Sequence, residues 1–232
     1  MLALENLQGG YGQSRILFGV ELEVGKGEAV SLLGRNGMGK TTTVKSIMGL
    51  LKPSGGCISF RGRNLTGLPS HEIARAGIGL VPEGRQIFPN LTVYEQLVAT
   101  ARPSDGKGKW QLPDVFQLFP ALEERRKHWG NQLSGGEQQM LAIARALLLN
   151  PELIILDEAS EGLSPVLREA IWKALAHLKS EGQAILVIDK HLSALLPLCD
   201  RHTIIEKGRT VWQGNSPELL EAQAMRQHYL GV

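Results

Sequence analysis

One stretch of eight residues limits what this chain can fold into more than any other: Gly34-Arg35-Asn36-Gly37-Met38-Gly39-Lys40-Thr41, which fits G-x-x-x-x-G-K-[ST]. The short run before it, Ala29-Val30-Ser31-Leu32-Leu33, is nearly continuous in apolar residues, as expected of a strand covered on both faces. Residues 41–49 after it read as a helix. In a strand, glycine turn and helix, consecutive backbone N–H groups turn inward around phosphate oxygens, and the helix start adds partial positive charge. Lys40 in that setting reaches the β- and γ-phosphates and the Thr41 hydroxyl binds Mg²⁺. Gly34, Arg35, Asn36, Gly37, Met38, Gly39, Lys40, Thr41 and Thr42 are therefore candidate nucleotide-binding residues. The motif points to a nucleoside triphosphate and leaves the reaction open.

A second element narrows the chemistry. Leu153-Ile154-Ile155-Leu156-Asp157-Glu158 is an apolar strand ending in two carboxylates. A buried parallel strand delivers Asp157 to the same sheet edge as the glycine turn. There Asp157 can hold Mg²⁺ through water, and Glu158 can polarise the attacking water as general base.

Around these motifs the chain alternates strands and helices, which implies a parallel sheet with helices on both faces. Residues 1–28 instead alternate apolar and polar positions around Gly-rich turns, the pattern of short antiparallel strands. Further strands are expected at residues 56–62, 79–82 and 184–188, and helices at 69–76, 166–179 and 191–198. Residues 92–130 differ in character. A helix over 93–100 precedes a polar, Gly-rich loop at 102–109, and one or two helices follow over 113–128 with Val115, Phe116, Leu118, Phe119 and Leu122 as their apolar face. Together with the start of a helix running from Ser134 to about residue 149, this reads as a helical lobe inserted at about 92–145 in a single domain, 1–232.

Net charge is +2 and aromatics make up 5%, so neither a basic arm nor a stacking platform for nucleic acid is expected. Cys57 and Cys199 form no Cys-x-x-Cys pair and read as free, partly buried thiols. His71, His128, His177, His202 and His228 are scattered and read as surface or helix-end residues, and Arg125-Arg126-Lys127 as a solvated helix face. The first residues lack a basic stretch followed by an apolar one, and no run approaches the ~20 apolar residues that span a bilayer. Any action at a membrane is expected to go through a partner.

Leu133-Ser134-Gly135-Gly136-Glu137-Gln138-Gln139 adds a second glycine turn opening a helix, with Ser134 as a natural cap. At this point the chain resembles the ATP-binding subunits of ABC transporters, whose signature is L-S-G-G-[EQ]. The resemblance covers essentially the whole chain. It implies an α/β fold, a P-loop NTPase (RecA-like) core with an N-terminal antiparallel β subdomain and an inserted helical lobe. It also implies ATP and Mg²⁺, and a dimer in which Ser134, Gly135, Gly136 and Glu137 of one subunit close over the γ-phosphate held by the other. Tyr11 sits where the family stacks an aromatic on adenine. Val81-Pro82-Glu83-Gly84-Arg85 sits at the family's Q-loop with Glu83 in place of Gln; Glu83 can still bind Mg²⁺ or orient water, and Gln86 is an alternative.

Other positions depart from the pattern. Ala159 replaces a proline, Glu161-Gly162-Leu163-Ser164 replaces the usual S-A-L-D of the D-loop, and Ile188-Asp189-Lys190-His191 puts a histidine one place late for the switch. The expectation is that His191 rather than Lys190 meets the γ-phosphate or attacking water, because a neutral imidazole both donates and accepts; direct alignment favours Lys190. The glycine turn, Phe88-Pro89-Asn90-Leu91-Thr92-Val93, Glu161-Gly162-Leu163-Ser164-Pro165 and Tyr229-Leu230-Gly231 resemble the LivF-type branch of branched-chain amino acid importers, with urea and short-amide importers similar. That branch implies a second ATP-binding subunit, identical or different, transmembrane permease subunits and an extracytoplasmic solute-binding protein. It also implies a peripheral position on the cytoplasmic face of the inner membrane. A regulatory subunit with little hydrolysis is the other reading that the altered D-loop and switch leave open.

Overall fold

In the computed structural model, which describes residues 1–101 and 108–231, the apolar runs sort into two sheets. The N-terminal strands are longer than the sequence suggests. β1 (Leu2–Tyr11) and β2 (Ser14–Val24) pair antiparallel, and after β3 (Ala29–Leu33) and α1 (Lys40–Ile47) the chain returns through β4 (Gly55–Phe60) and β5 (Arg63–Asn64) to complete a four-stranded sheet ordered β2-β1-β4-β5. α2 (Ser70–Ala76) leads into β6 (Ile78–Val81). Then come α3 (Val93–Thr100), α4 (Leu112–Leu118), α5 (Pro120–Glu124) and α6 (Gly135–Leu148), with no strand between them among the described residues. β7 (Leu153–Asp157), α7 (Pro165–Ser180), β8 (Ala184–Ile188) and α8 (Leu192–Leu198) restore the alternation. β9 (Arg201–Glu206), β10 (Arg209–Gly214), α9 (Ser216–Glu221) and α10 (Gln223–Tyr229) finish the described chain.

The second sheet has six strands in the order β10-β9-β3-β8-β7-β6, parallel from β9 to β6, with β10 added antiparallel to β9. Every residue of β3, β7 and β8 is buried, which is why these segments read as unbroken apolar runs. Side chains still alternate between faces. Ile154, Leu156, Ile185 and Val187 join one cluster with α3 to α9, while Leu153, Ile155, Ala184, Leu186 and Ile188 join another with β1, β2, β4, α1 and α2. Helices therefore cover one face, and the antiparallel sheet shares the other with α1 and α2. Helices thus lie on both faces, as expected, and β1, β2 and β4 add their own apolar side to the face of α1 and α2.

Capping explains where the helices start. Thr92 and Glu95 form a reciprocal capping box at α3, and Ser134 with Glu137 does the same at α6. Val93, Leu97, Val115, Phe116, Phe119 and Leu122 pack into the cluster that holds Leu141 and Leu156, so α3, α4 and α5 share their core with the main sheet. Most of the polar loop expected at 102–109 falls outside the described residues.

One histidine was misjudged from sequence. His202 is fully buried in β9, its ring between Ser31 Oγ at 2.7 Å and Ser216 Oγ at 2.8 Å. The parallel pairing of β9 with β3 sets Ser31 opposite His202, a long-range fact. Burial pushes its pKa down to about 4.

Candidate active site

Parallel strands put their C-terminal ends on one edge, so the segments after β3, β6, β7 and β8 converge there. The turn after β3 needs glycine because of its backbone. Gly34, Gly37 and Gly39 have φ of 145°, 78° and 105°, and a Cβ on Gly34 would lie 2.4 Å from the Ile205 carbonyl oxygen. Gly39 in the left-handed region is the N-cap of α1 and has no side-chain cap, so the first N–H groups of α1 are free to meet an anion. Met38 anchors the turn from behind: its carbonyl accepts from Gly208 N at 3.0 Å. Lys40 curls over the turn, its Nζ donating to the carbonyls of Gly34 at 2.9 Å and Arg35 at 3.1 Å. Burial lowers the Lys40 pKa, opposed by the carboxylates of Glu158 and Asp157.

A small cavity lies beside this turn, lined by Gly34, Asn36, Lys40, Glu158, Glu161, Ile188, Asp189 and Lys190. Glu158 stands immediately after β7 with φ of 55°, a conformation costly for a non-glycine residue, and its N–H bonds the Ile188 carbonyl at 2.9 Å. Its pKa is raised to about 7, first by a hydrogen bond with Glu161, then by burial and by the charges of Glu161 and Glu83. Carboxylate oxygens of Glu83, Glu158 and Glu161 lie within 4.8 Å of one another. Glu161 is held as a carboxylate by its bonds to Glu158 and to Lys190, whose Nζ is 3.0 Å away.

Thr41 Oγ1 donates to Asp157 Oδ1 at 3.5 Å. Burial raises the Asp157 pKa; the Thr41 bond opposes and the charge of Glu83 adds to it. A hydroxyl beside a buried carboxylate is an all-oxygen donor set that suits a hard divalent cation, and the raised pKa is the response expected of a carboxylate short of positive charge. The residues present fit Mg²⁺.

Two expected residues do not line this cavity. Tyr11 ends β1, half-exposed, with Lys45 Nζ 5.7 Å from its ring centroid, and it does not line the cavity. His191 was expected at the phosphate, but Lys190 and not His191 is on the cavity wall. His191 turns back, its Nδ1 2.7 Å from Asp189 Oδ1 and 3.0 Å from Ser160 Oγ. The Ser160–Asp189–His191 cluster and the Glu161–Lys190 pair were not anticipated.

The signature turn also lies outside the cavity. Ser134 Oγ accepts from Glu137 N at 3.3 Å and Glu137 Oε2 accepts from Ser134 N at 2.7 Å. Gly135 and Gly136 are helical, and both clear room: a Cβ on Gly135 would lie 2.8 Å from Arg85 Nη1, and one on Gly136 2.4 Å from Leu167 Cδ1. Arg125, expected on a helix face with Arg126 and Lys127, instead follows α5 in a turn, its Nε 3.3 Å from Glu137 Oε1. Ser134, Gly135, Gly136 and Glu137 therefore sit together at the start of α6, apart from Lys40 and Glu158 of the same chain.

A P-loop on a parallel sheet, an acidic strand end beside it and a second glycine turn set apart define a nucleotide-hydrolysing cassette. Residues 17–161 match the family described as ABC transporter, and the chain belongs to that family. It is 39% identical over 232 residues to the high-affinity branched-chain amino acid transport ATP-binding protein BraG of Pseudomonas aeruginosa, with 100% of each chain covered. It is 35% identical over 234 residues to the lipopolysaccharide export system ATP-binding protein LptB of Escherichia coli K12, covering 99% of this chain and 97% of that one. Among solved structures it superposes with TM-score 0.85 on an ATP-binding subunit of an ABC transporter, at 31% identity and with 100% and 96% of the two chains covered. The protein is an ATP-hydrolysing ABC transporter subunit that dimerises and works with transmembrane permeases. Among the described residues no helix is long and apolar enough to cross a membrane.

Proposed function

We propose that this chain powers import of branched-chain amino acids, hydrolysing ATP at the cavity between Lys40 and Glu158. The observation that carries the solute is its full-length 39% identity with a branched-chain amino acid transport protein, against 35% with a lipopolysaccharide export protein. In this reading the N–H groups of residues 34–41 hold the phosphates, and Lys40 leaves the Gly34 and Arg35 carbonyls for the γ-phosphate. Thr41 and Asp157, with Glu83 nearby, would hold Mg²⁺, which supplies charge neutralisation on the phosphate oxygens. Glu158, with its pKa near 7, takes the proton of the attacking water. Lys190, on the cavity wall, exchanges Glu161 for phosphate oxygen. Ser134, Gly135, Gly136 and Glu137 complete the site of a second ATP-binding subunit, with the Gly135 and Gly136 N–H groups and the start of α6 facing its γ-phosphate. This chain sits peripherally on the cytoplasmic face of the inner membrane, docked on transmembrane permeases that an extracytoplasmic solute-binding protein feeds.

Uptake of labelled leucine, isoleucine, valine and urea in cells carrying Lys40→Ala in place of the natural chain tests the solute. Loss confined to the three branched amino acids supports the proposal. Unchanged leucine uptake with loss of urea uptake, or with an outer-membrane lipid defect, overturns it.

A further inference from the structure

His191 does not line the cavity but turns into a buried cluster with Asp189 and Ser160. The Asp189 side chain is 2% exposed yet receives four donors, two on each oxygen. Ser160 N at 3.1 Å and Ser160 Oγ at 2.5 Å donate to Oδ2. His191 N at 3.0 Å and His191 Nδ1 at 2.7 Å donate to Oδ1. A carboxylate only accepts, so the ring proton is on Nδ1. In the neutral ring Nε2 then carries the lone pair, and His191 has no N–H left for a phosphate oxygen.

We infer that Asp189 and His191 are positioning residues that bolt the turn at residues 159–164 to the turn at 189–191 through Ser160. This deepens the ATPase reading and rests on it. The exposed Glu161–Lys190 pair, 3.0 Å long, joins the same two turns but is a weak tie, being open to solvent on both sides. The buried cluster is the strong one, since breaking a fully satisfied buried carboxylate network leaves an unpaired acceptor.

The bolt has a consequence beyond local rigidity. The 159–164 turn runs into α7, whose first turn is capped by Ser164 and carries Leu167, and Leu167 packs against Gly136 at the start of α6. Arg85 lies against both Gly135 and Gly162. Displacement of the 189–191 turn by a phosphate at Lys190 is therefore carried through Asp189 to Ser160, then α7, then this chain's own signature turn. Occupancy of one site is coupled to the shape of the half-site offered to the other subunit.

The test uses the full chain assembled with its permeases, measuring kcat and the KM for ATP. Ser160→Ala and His191→Ala are each expected to lower kcat about tenfold with KM within about twofold, the size of one hydrogen bond to a charged group. The double variant is expected to match the worse single one, because His191 acts only by holding the Asp189 carboxylate that Ser160 meets. His191→Asn, whose amide can donate in place of Nδ1–H, is expected to recover most of the rate. A wild-type rate for Ser160→Ala beside a slow His191→Ala overturns the inference in favour of direct contact between His191 and nucleotide; so does a double variant whose losses multiply. If Ser160→Ala does not fold, His191→Asn decides: failure to recover the rate counts against the bolt. Lys40→Ala is the control. Should it retain turnover, the ATPase site itself is misassigned, a failure distinct from that of the bolt.

Discussion

The turn at residues 34–41 and the turn at 133–137 are both glycine-rich, both open a helix, and use glycine for different reasons. In the first, the glycines have positive φ and build a concave row of N–H groups, with no side-chain cap on α1. In the second, Gly135 and Gly136 are ordinary helical residues, the helix is capped by its own Ser134 and Glu137, and the missing Cβ atoms let Arg85 and Leu167 come close. The first turn shares a cavity with a carboxylate, Glu158, and a cation, Lys190; no residue of the second turn lines that cavity. In the proposed mechanism one glycine motif is a chemical site within the chain, and the other is a surface whose chemistry needs a second subunit.

Breaking the first turn should have the largest effect. Lys40→Ala is expected to lower ATP turnover by at least about 10²-fold, the scale for removing a positioned charge from a phosphoryl-transfer site. A rate within twofold of wild type would show that the turn is only structural.

Substituting the glycines sharpens the contrast. Gly136→Ala forces a side-chain shift at Leu167 and is expected to cost about 1–3 kcal/mol of stability, recovered in part when Leu167→Ala is added. Gly37→Ala meets nothing within 4 Å but has φ of 78°, so its cost of about 1 kcal/mol is conformational and no trimming of a neighbour should relieve it. Chemical denaturation of Gly136→Ala and of Gly37→Ala, each with and without Leu167→Ala, separates the two causes. Equal recovery in both, or in neither, would remove the distinction.

An effect that appears only on acidification, and is absent at neutral pH, lies away from both turns. His202 has a folded pKa near 4, below the 6.5 of the unfolded chain, so the unfolded state takes up the proton first as pH falls. Its contribution is neutral above pH 6.5 and becomes destabilising between 6.5 and 4, by about 2 kcal/mol at pH 5. Thermal melts at pH 7 and pH 5 should show a smaller pH-dependent drop for His202→Asn than for wild type; equal drops would place the acid sensitivity elsewhere.

What the sequence made legible follows one physical rule. The 34–41 turn, the acidic end of β7 and the capped start of α6 are local: each is a few consecutive residues whose spacing sets the backbone. The Ser160–Asp189 bond joins residues 29 apart that meet only because β7 and β8 pair, and no run of letters around either announces it. His202 was read as a surface residue because its partner Ser31 is 171 positions away. The same holds for β9 and β10, since β9 is set by pairing with the distant β3 and β10 by pairing with β9. His191 is the instructive case. Its chemistry suited a phosphate contact, but direction is decided by the buried carboxylate next to it.

The central claim is that Glu158 is the base of an ATP-hydrolysing site built within this chain. Its most direct test is ATP occupancy and ATP turnover measured together on Glu158→Gln, in the full chain with its permeases. The isosteric amide keeps the shape and loses the proton acceptor, so occupancy should equal that of wild type while turnover falls by about 10²–10⁴-fold. Turnover within twofold of wild type at equal occupancy would contradict the account.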